Sequence, residues 1–190
     1  GGEDAELAAG HLRLTYSGPI IAPFAEQLAA LWQAEGETYS QVELEIDSSG
    51  GSLSHAVEVI AVLREIRRTA RLVTVVTPGS MCASACVPVY MQGEVRRAST
   101  ATGWMFHGAC GSYTNVPSPV PTRLYASLLA EAGLDAGFLC ELEDKGYLSK
   151  PGAYWVSGYE LYHLHAAGVI TEISGGWQPA EPVVPPFDPA

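Results

Sequence analysis

Apolar and polar residues alternate over His11-Leu12-Arg13-Leu14-Thr15-Tyr16, with Leu12, Leu14 and Tyr16 on one face. That period of two predicts a strand, and Ser17-Gly18-Pro19 ends it. From Pro23 the period changes: Phe24, Leu28, Leu31 and Trp32 recur at helical spacing as far as Gly36, with Pro in the first turn and Gly past the end. Val42–Ile46 predicts a second strand, stopped by Asp47-Ser48-Ser49-Gly50-Gly51-Ser52. A long helix follows, with Val57, Ile60, Leu63 and Ile66 on one stripe. Leu72–Val76 is nearly all apolar, as expected of a strand covered on both faces. After Pro78-Gly79-Ser80, Met81–Met91 reads as a small-residue helix ending near Gly93. Glu94–Ala98 and Gly103–His107 read as short strands, and Gly111–Thr122 as loop. Arg123–Lys145 has helical spacing through Leu124, Leu128 and Leu139, with a break near Gly133 and Gly137. Ser157–Ala167 predicts a helix and Val169–Ile173 a last strand. Strands alternating with helices predict an α/β fold with right-handed crossovers and a largely parallel sheet.

Composition limits this picture without changing it. With 190 residues, 47% hydrophobic and 16% charged, the chain can bury one ordinary core. We expect a loose segment over 1–10, a single domain over 11–176 and a Pro-rich tail over 177–190. A net charge of -11 argues against a partner read through its phosphates, so no nucleic acid is expected. No apolar run is long enough to span a bilayer. The chain opens on Gly1-Gly2-Glu3-Asp4 without an initiator Met, so a targeting segment is expected to have preceded it. Of the four cysteines, Cys82 and Cys86 are read as small buried residues on a helix. Cys110 and Cys140 are the expected bridge, because one follows the histidine loop and the other sits on a helix that can return over it. No ligand spacing matches a structural zinc, and neither a metal nor a cofactor is expected.

Three places carry chemistry. Ser49-Gly50-Gly51-Ser52 lies between a strand's carboxyl end and a helix start, where α/β folds bind ligands. Two glycines let backbone N–H groups approach an anion or a developing oxyanion, although such a pair also serves as a plain tight turn. It is not a phosphate loop, because no Gly-Lys-Ser/Thr follows and no G-x-G-x-x-G is present. In Met81-Cys82-Ala83-Ser84-Ala85-Cys86, a serine among small residues is either a nucleophile or part of a closely packed buried helix. Pro88, four residues on, cannot donate to the Ser84 carbonyl and should kink that helix. Met105-Phe106-His107-Gly108 sets a histidine at the end of a short apolar strand. His163 and His165 are two apart on a helix and face different sides, so they make no metal pair.

Taken in order, these segments resemble the Clp protease proteolytic subunit and its crotonase-like superfamily. The likeness runs from about Leu12 to His107 and resumes over Tyr154–Thr171, where Trp155-Val156-Ser157-Gly158-Tyr159-Glu160 and Gly168-Val169-Ile170 are similar to the family's closing helix and strand. Relatives with a cysteine-flanked serine of periplasmic type are more similar than the ATPase-coupled enzyme. The resemblance implies a ClpP/crotonase-type spiral of β-β-α units. It implies Ser84 as nucleophile, His107 as general base, Gly51 and Ala85 as oxyanion amides, and Gly50 as the residue shaping the turn.

Two segments depart from the family pattern. The third triad member has no counterpart: Leu148-Ser149-Lys150-Pro151-Gly152-Ala153-Tyr154 holds no carboxylate, which leaves Asp144, Glu143 or Ser149 as substitutes. After His107, the family's Gly-rich segment between stacked rings is replaced by Ala109–Asn115 and a proline loop. The expectation is therefore an ATPase-independent serine hydrolase, a peptidase acting on a peptide or protein substrate and located in the periplasm or secreted. A homo-oligomer is open. The alternative is a catalytically silent ClpP-like binding module. An acyl-CoA enzyme of the crotonase kind is a third reading, in which the Ser84/His107 pair is coincidence.

Overall fold

The structure is a computed structural model describing residues 10–109 and 116–176. The expected loose end before residue 10, Cys110 and the Pro-rich tail from residue 177 lie outside the described residues. In chain order the elements are β1 (His11–Ser17), α1 (Phe24–Glu35), a 3-10 turn (Gly36–Thr38), β2 (Gln41–Asp47), α2 (Leu53–Arg67), β3 (Arg71–Val76), β4 (Met81–Ala83), α3 (Cys86–Tyr90), β5 (Val95–Ser99), β6 (Gly103–Phe106), α4 (Pro119–Glu131), α5 (Ala136–Asp144), β7 (Tyr154–Ser157), a π-helical turn (Glu160–Leu164) and β8 (Glu172–Ser174).

Two sheets result. The larger has the order β1-β2-β3-β5-β8 with every pair parallel, so the expected α/β architecture with a largely parallel sheet is present. The smaller has the order β4-β6-β7, parallel at β4–β6 and antiparallel at β6–β7. Along β2, Val42, Leu44 and Ile46 are buried while Glu43 and Glu45 point the other way. That other face is polar: Glu43 meets Arg13 at 2.8 Å and Arg97 at 3.6 Å, and Arg97 meets Glu172 at 2.7 Å. Helix α2 starts at Ser52, whose hydroxyl accepts from the His55 N–H at 3.1 Å. It buries Ala56, Val59, Ile60, Leu63 and Ile66 in the main core, whereas Val57, expected on the buried stripe, is exposed.

Several elements differ from expectation. Met81–Ala83 is a strand rather than the first turn of a helix, because it finds partners on both sides, β6 along its length and Ser48 opposite Cys82. Helix α4 starts at Pro119, inside the stretch read as loop, whereas the expected break does fall at Gly133, which has φ +103° and separates α4 from α5. Tyr154–Ser157 pairs with β6, and only a π-helical turn follows where a longer helix was predicted. The last strand is displaced to Glu172–Ser174.

Candidate active site

The register of the small sheet brings the candidate groups together. Ala83 of β4 lies opposite Met105 of β6, and the Ser84 N–H donates to the Met105 carbonyl at 2.8 Å. Ser84 is one residue beyond β4 and His107 one beyond β6, so both leave the same end of neighbouring parallel strands. At Ser84 the backbone turns left-handed, with φ +52°, before α3 begins. An L-residue there costs roughly 1–2 kcal/mol, and such outliers gather at functional sites. The turn lifts the side chain off the strand, and the Ser84 hydroxyl hydrogen-bonds His107 Nε2. A neutral ring that accepts at Nε2 carries its own proton on Nδ1. Burial holds the His107 pKa below its ordinary value, which keeps the imidazole in its basic form.

The glycine turn presses against this serine. Asp47 Oδ1 accepts from the Met81 N–H at 3.0 Å, while the Ser48 N–H donates to Met81 O at 2.9 Å and Ser48 O accepts from the Ala83 N–H at 3.0 Å. Gly50, at φ +97°, leaves no space for a side chain: a Cβ there would sit 2.9 Å from both Ala83 O and Ser84 Cβ. On its other side the turn is pinned by Ile20, whose N–H donates to Gly50 O at 2.8 Å and whose carbonyl accepts from the Ser52 N–H at 2.9 Å. Among the described residues, neither the Gly51 nor the Ala85 N–H donates to a backbone carbonyl.

The cysteines require a correction. Cys82, at 0% exposure on β4, and Cys86, at 0% at the start of α3, form a disulfide around Ser84 with Cα atoms 5.2 Å apart. They are not free residues of one helix. The strand–turn–helix bend brings both sulfurs to the same side. Cys140, expected to bridge to Cys110, is an exposed free thiol on α5.

Tyr125 went unnoticed in the sequence. From α4 its buried hydroxyl donates to the Ser84 carbonyl at 2.9 Å. The one sequence signal was Pro88, which has no N–H for that carbonyl; the Val87 N–H, at 3.0 Å, and the Tyr125 hydroxyl serve it instead.

The third member stays apart. Asp144 and Glu143 are exposed near the end of α5. Ser149 is exposed, and its hydroxyl reaches back to the Gly146 carbonyl at 3.5 Å. Among the described residues no carboxylate pairs with His107. Leu148 nevertheless lies close by, its carbonyl against Gly108.

Among the described residues, one cluster has metal-ligating atoms within 4.8 Å of one another: Glu26, His55 and Glu58. His55 Nε2 accepts from the Ala25 N–H at 3.1 Å, so its proton is on Nδ1, 3.1 Å from Glu58. Both ring nitrogens are committed, and His55 ties α1 to α2 through the Ala25 N–H.

The chain is similar to ClpP1 from Listeria monocytogenes, at 19% identity and a TM-score of 0.66, over 87% of this chain and 92% of that one. It is also similar to the ClpP protease catalytic domain from Plasmodium falciparum, at 15% identity and a TM-score of 0.65, over 88% of this chain and 87% of that one. A point mutant of the Listeria protein gives 19% identity and 0.66 over 86% and 91%. The chain therefore has a ClpP protease-like fold. No protein-family model matches it, and neither does any curated protein.

Proposed function

We propose that this protein is a serine hydrolase, most simply a peptidase, in which Ser84 attacks a carbonyl carbon while His107 Nε2 takes its proton. The negative charge then developing on the carbonyl oxygen is met by the Gly51 and Ala85 N–H groups, with Gly50 setting the turn. The collapsing tetrahedral intermediate takes the proton back from His107 onto its leaving group, and water repeats the sequence to free Ser84. The observation that carries this reading is the Ser84–His107 hydrogen bond at a left-handed strand-to-helix turn, with the glycine turn packed on it. Labelling by a fluorophosphonate probe tests it: the label belongs on Ser84 and disappears in Ser84→Ala.

A second reading, a ClpP-like binding module without turnover, is favoured by one feature: among the described residues His107 has no carboxylate partner. Loss of the orienting acid costs about 10⁴ in the best-studied triad, so the hydrolase reading expects slow turnover. Asp144, at the end of α5, and Ser149, beyond it, are proposed partners only with an inward movement of the 144–149 segment. The Cys82–Cys86 disulfide supports an oxidising location, periplasmic or secreted. Independence from an ATPase is part of the proposal and is tested by turnover of a peptide substrate by the purified chain alone. A homo-oligomer is part of the proposal and is read by sedimentation.

A further inference from the structure

The Ser84–Ala85 peptide has two working ends. Its N–H is the proposed oxyanion donor, and its carbonyl is held from behind. A peptide unit is planar and trans, so fixing the oxygen fixes the direction of the N–H opposite. At residue 88 an ordinary helix would supply the N–H for that oxygen, but Pro88 has none. Two donors take its place: the Val87 N–H at 3.0 Å and the Tyr125 hydroxyl at 2.9 Å.

Resting on the hydrolase reading above, we propose that Tyr125 is a positioning residue for the oxyanion hole, orienting and polarising the Ala85 N–H through the Ser84 carbonyl. Donation to a peptide oxygen draws electron density from the nitrogen and makes its N–H a stronger donor. Tyr125 suits the task. It is 2% exposed, so water does not compete for the bond, and burial raises its pKa, so the hydroxyl stays protonated while His107 titrates. Its helix also holds the base: Ala109, two residues after His107, accepts from the Ser118 N–H at 2.8 Å and from the Thr122 hydroxyl at 3.3 Å. Helix α4 thus ties the oxyanion donor and the histidine loop to one rigid element. A residue that only filled space would need the ring but not its oxygen.

Tyr125→Phe keeps the ring and deletes the donor. The expected result is a fall in kcat of about tenfold with KM unchanged, less than the roughly 10²–10³ that follows outright loss of an oxyanion donor. Affinity for a peptidyl trifluoromethyl ketone, whose adduct on Ser84 carries the oxyanion, should fall by the same factor. The Ala85 amide nitrogen should move upfield in the NMR spectrum. A kcat and ketone affinity indistinguishable from wild type, with Ser84 still labelled by the probe, overturn the proposal and leave the hydrolase reading standing. Failure of the probe to label Ser84 in the wild-type protein overturns the hydrolase reading itself, and the oxyanion role with it. If Tyr125→Phe does not fold, 3,5-difluorotyrosine at position 125, a stronger donor of similar size, should move the Ala85 nitrogen downfield. An unmoved resonance overturns the proposal.

Discussion

Reducing the Cys82–Cys86 bridge isolates one support of the candidate nucleophile. The bridge closes a loop with a sequence separation of 4. On the chain-entropy model, a loop that short removes about 2 kcal/mol of freedom from the unfolded chain. Reduction leaves both buried sulfurs in place, so no large cavity term enters. In a domain of this size, about 2 kcal/mol corresponds to a melting shift of roughly 4–8 °C. The bridge also brackets the left-handed Ser84, whose backbone strain is of similar size, roughly 1–2 kcal/mol. Without the staple the turn rests on its hydrogen bonds to Met105, Val87 and Tyr125. The opened turn should then gain about 5–30-fold in population relative to the competent one, and Ser84-dependent turnover should fall as it does. The assay compares thermal unfolding and ester hydrolysis before and after a phosphine reductant. Reduction is verified by a gain of two hydrogens in the tryptic peptide 72–96, which holds both cysteines. Cys140→Ser serves as control, because that thiol is free and exposed. Protein verified as fully reduced, yet melting and turning over as before, would refute the stapling argument.

Two other perturbations test the site separately. Gly50→Ala places a Cβ 2.9 Å from Ser84 Cβ and Ala83 O at a φ of +97°, so it should cost at least about 1–2 kcal/mol in unfolding free energy and abolish most hydrolysis; a variant with wild-type melting and rate contradicts the packing of the two turns. The depressed His107 pKa predicts that the acid limb of kcat/KM has its midpoint below the ordinary histidine value of about 6.5, and a midpoint above it would contradict burial without a carboxylate partner. The same shift carries a stability sign. The unfolded chain protonates more readily than the native one, so this contribution is complete above the unfolded-state pKa and is lost as pH falls through the native one, which urea titration across that range would record.

Much of the fold was legible because its periodicities are local. The strands at His11–Ser17, Gln41–Asp47 and Arg71–Val76 and the helices between them follow from alternation, one apolar run, helical spacing, Pro and Gly. The motif order also led to Ser84 and His107, which the sheet register then juxtaposes. What was missed depends on partners distant in sequence. Met81-Cys82-Ala83 is compatible with a helix, and only pairing with β6 and Ser48 makes it a strand. Once that stretch is read as a helix, the bend that joins Cys82 to Cys86 is invisible, and the bridge is expected instead between the histidine loop at Cys110 and the helix at Cys140. Pro88 left the Ser84 carbonyl needing a donor, but no local pattern distinguishes Tyr125 from other residues of α4. The absence of a carboxylate from 148–154 was legible too, and the described residues place none on His107.

The central claim is that Ser84 is a nucleophile activated by His107. Its most direct test is incubation of the non-reduced protein with a fluorophosphonate probe, followed by mass spectrometry of the peptide 72–96, in wild type, Ser84→Ala and His107→Ala. The account predicts stoichiometric label on Ser84, none in Ser84→Ala and strongly slowed labelling in His107→Ala. An unlabelled Ser84 in folded wild-type protein, with hydrolysis equal to that of Ser84→Ala, would contradict the account and assign the Ser84/His107 site to binding without chemistry.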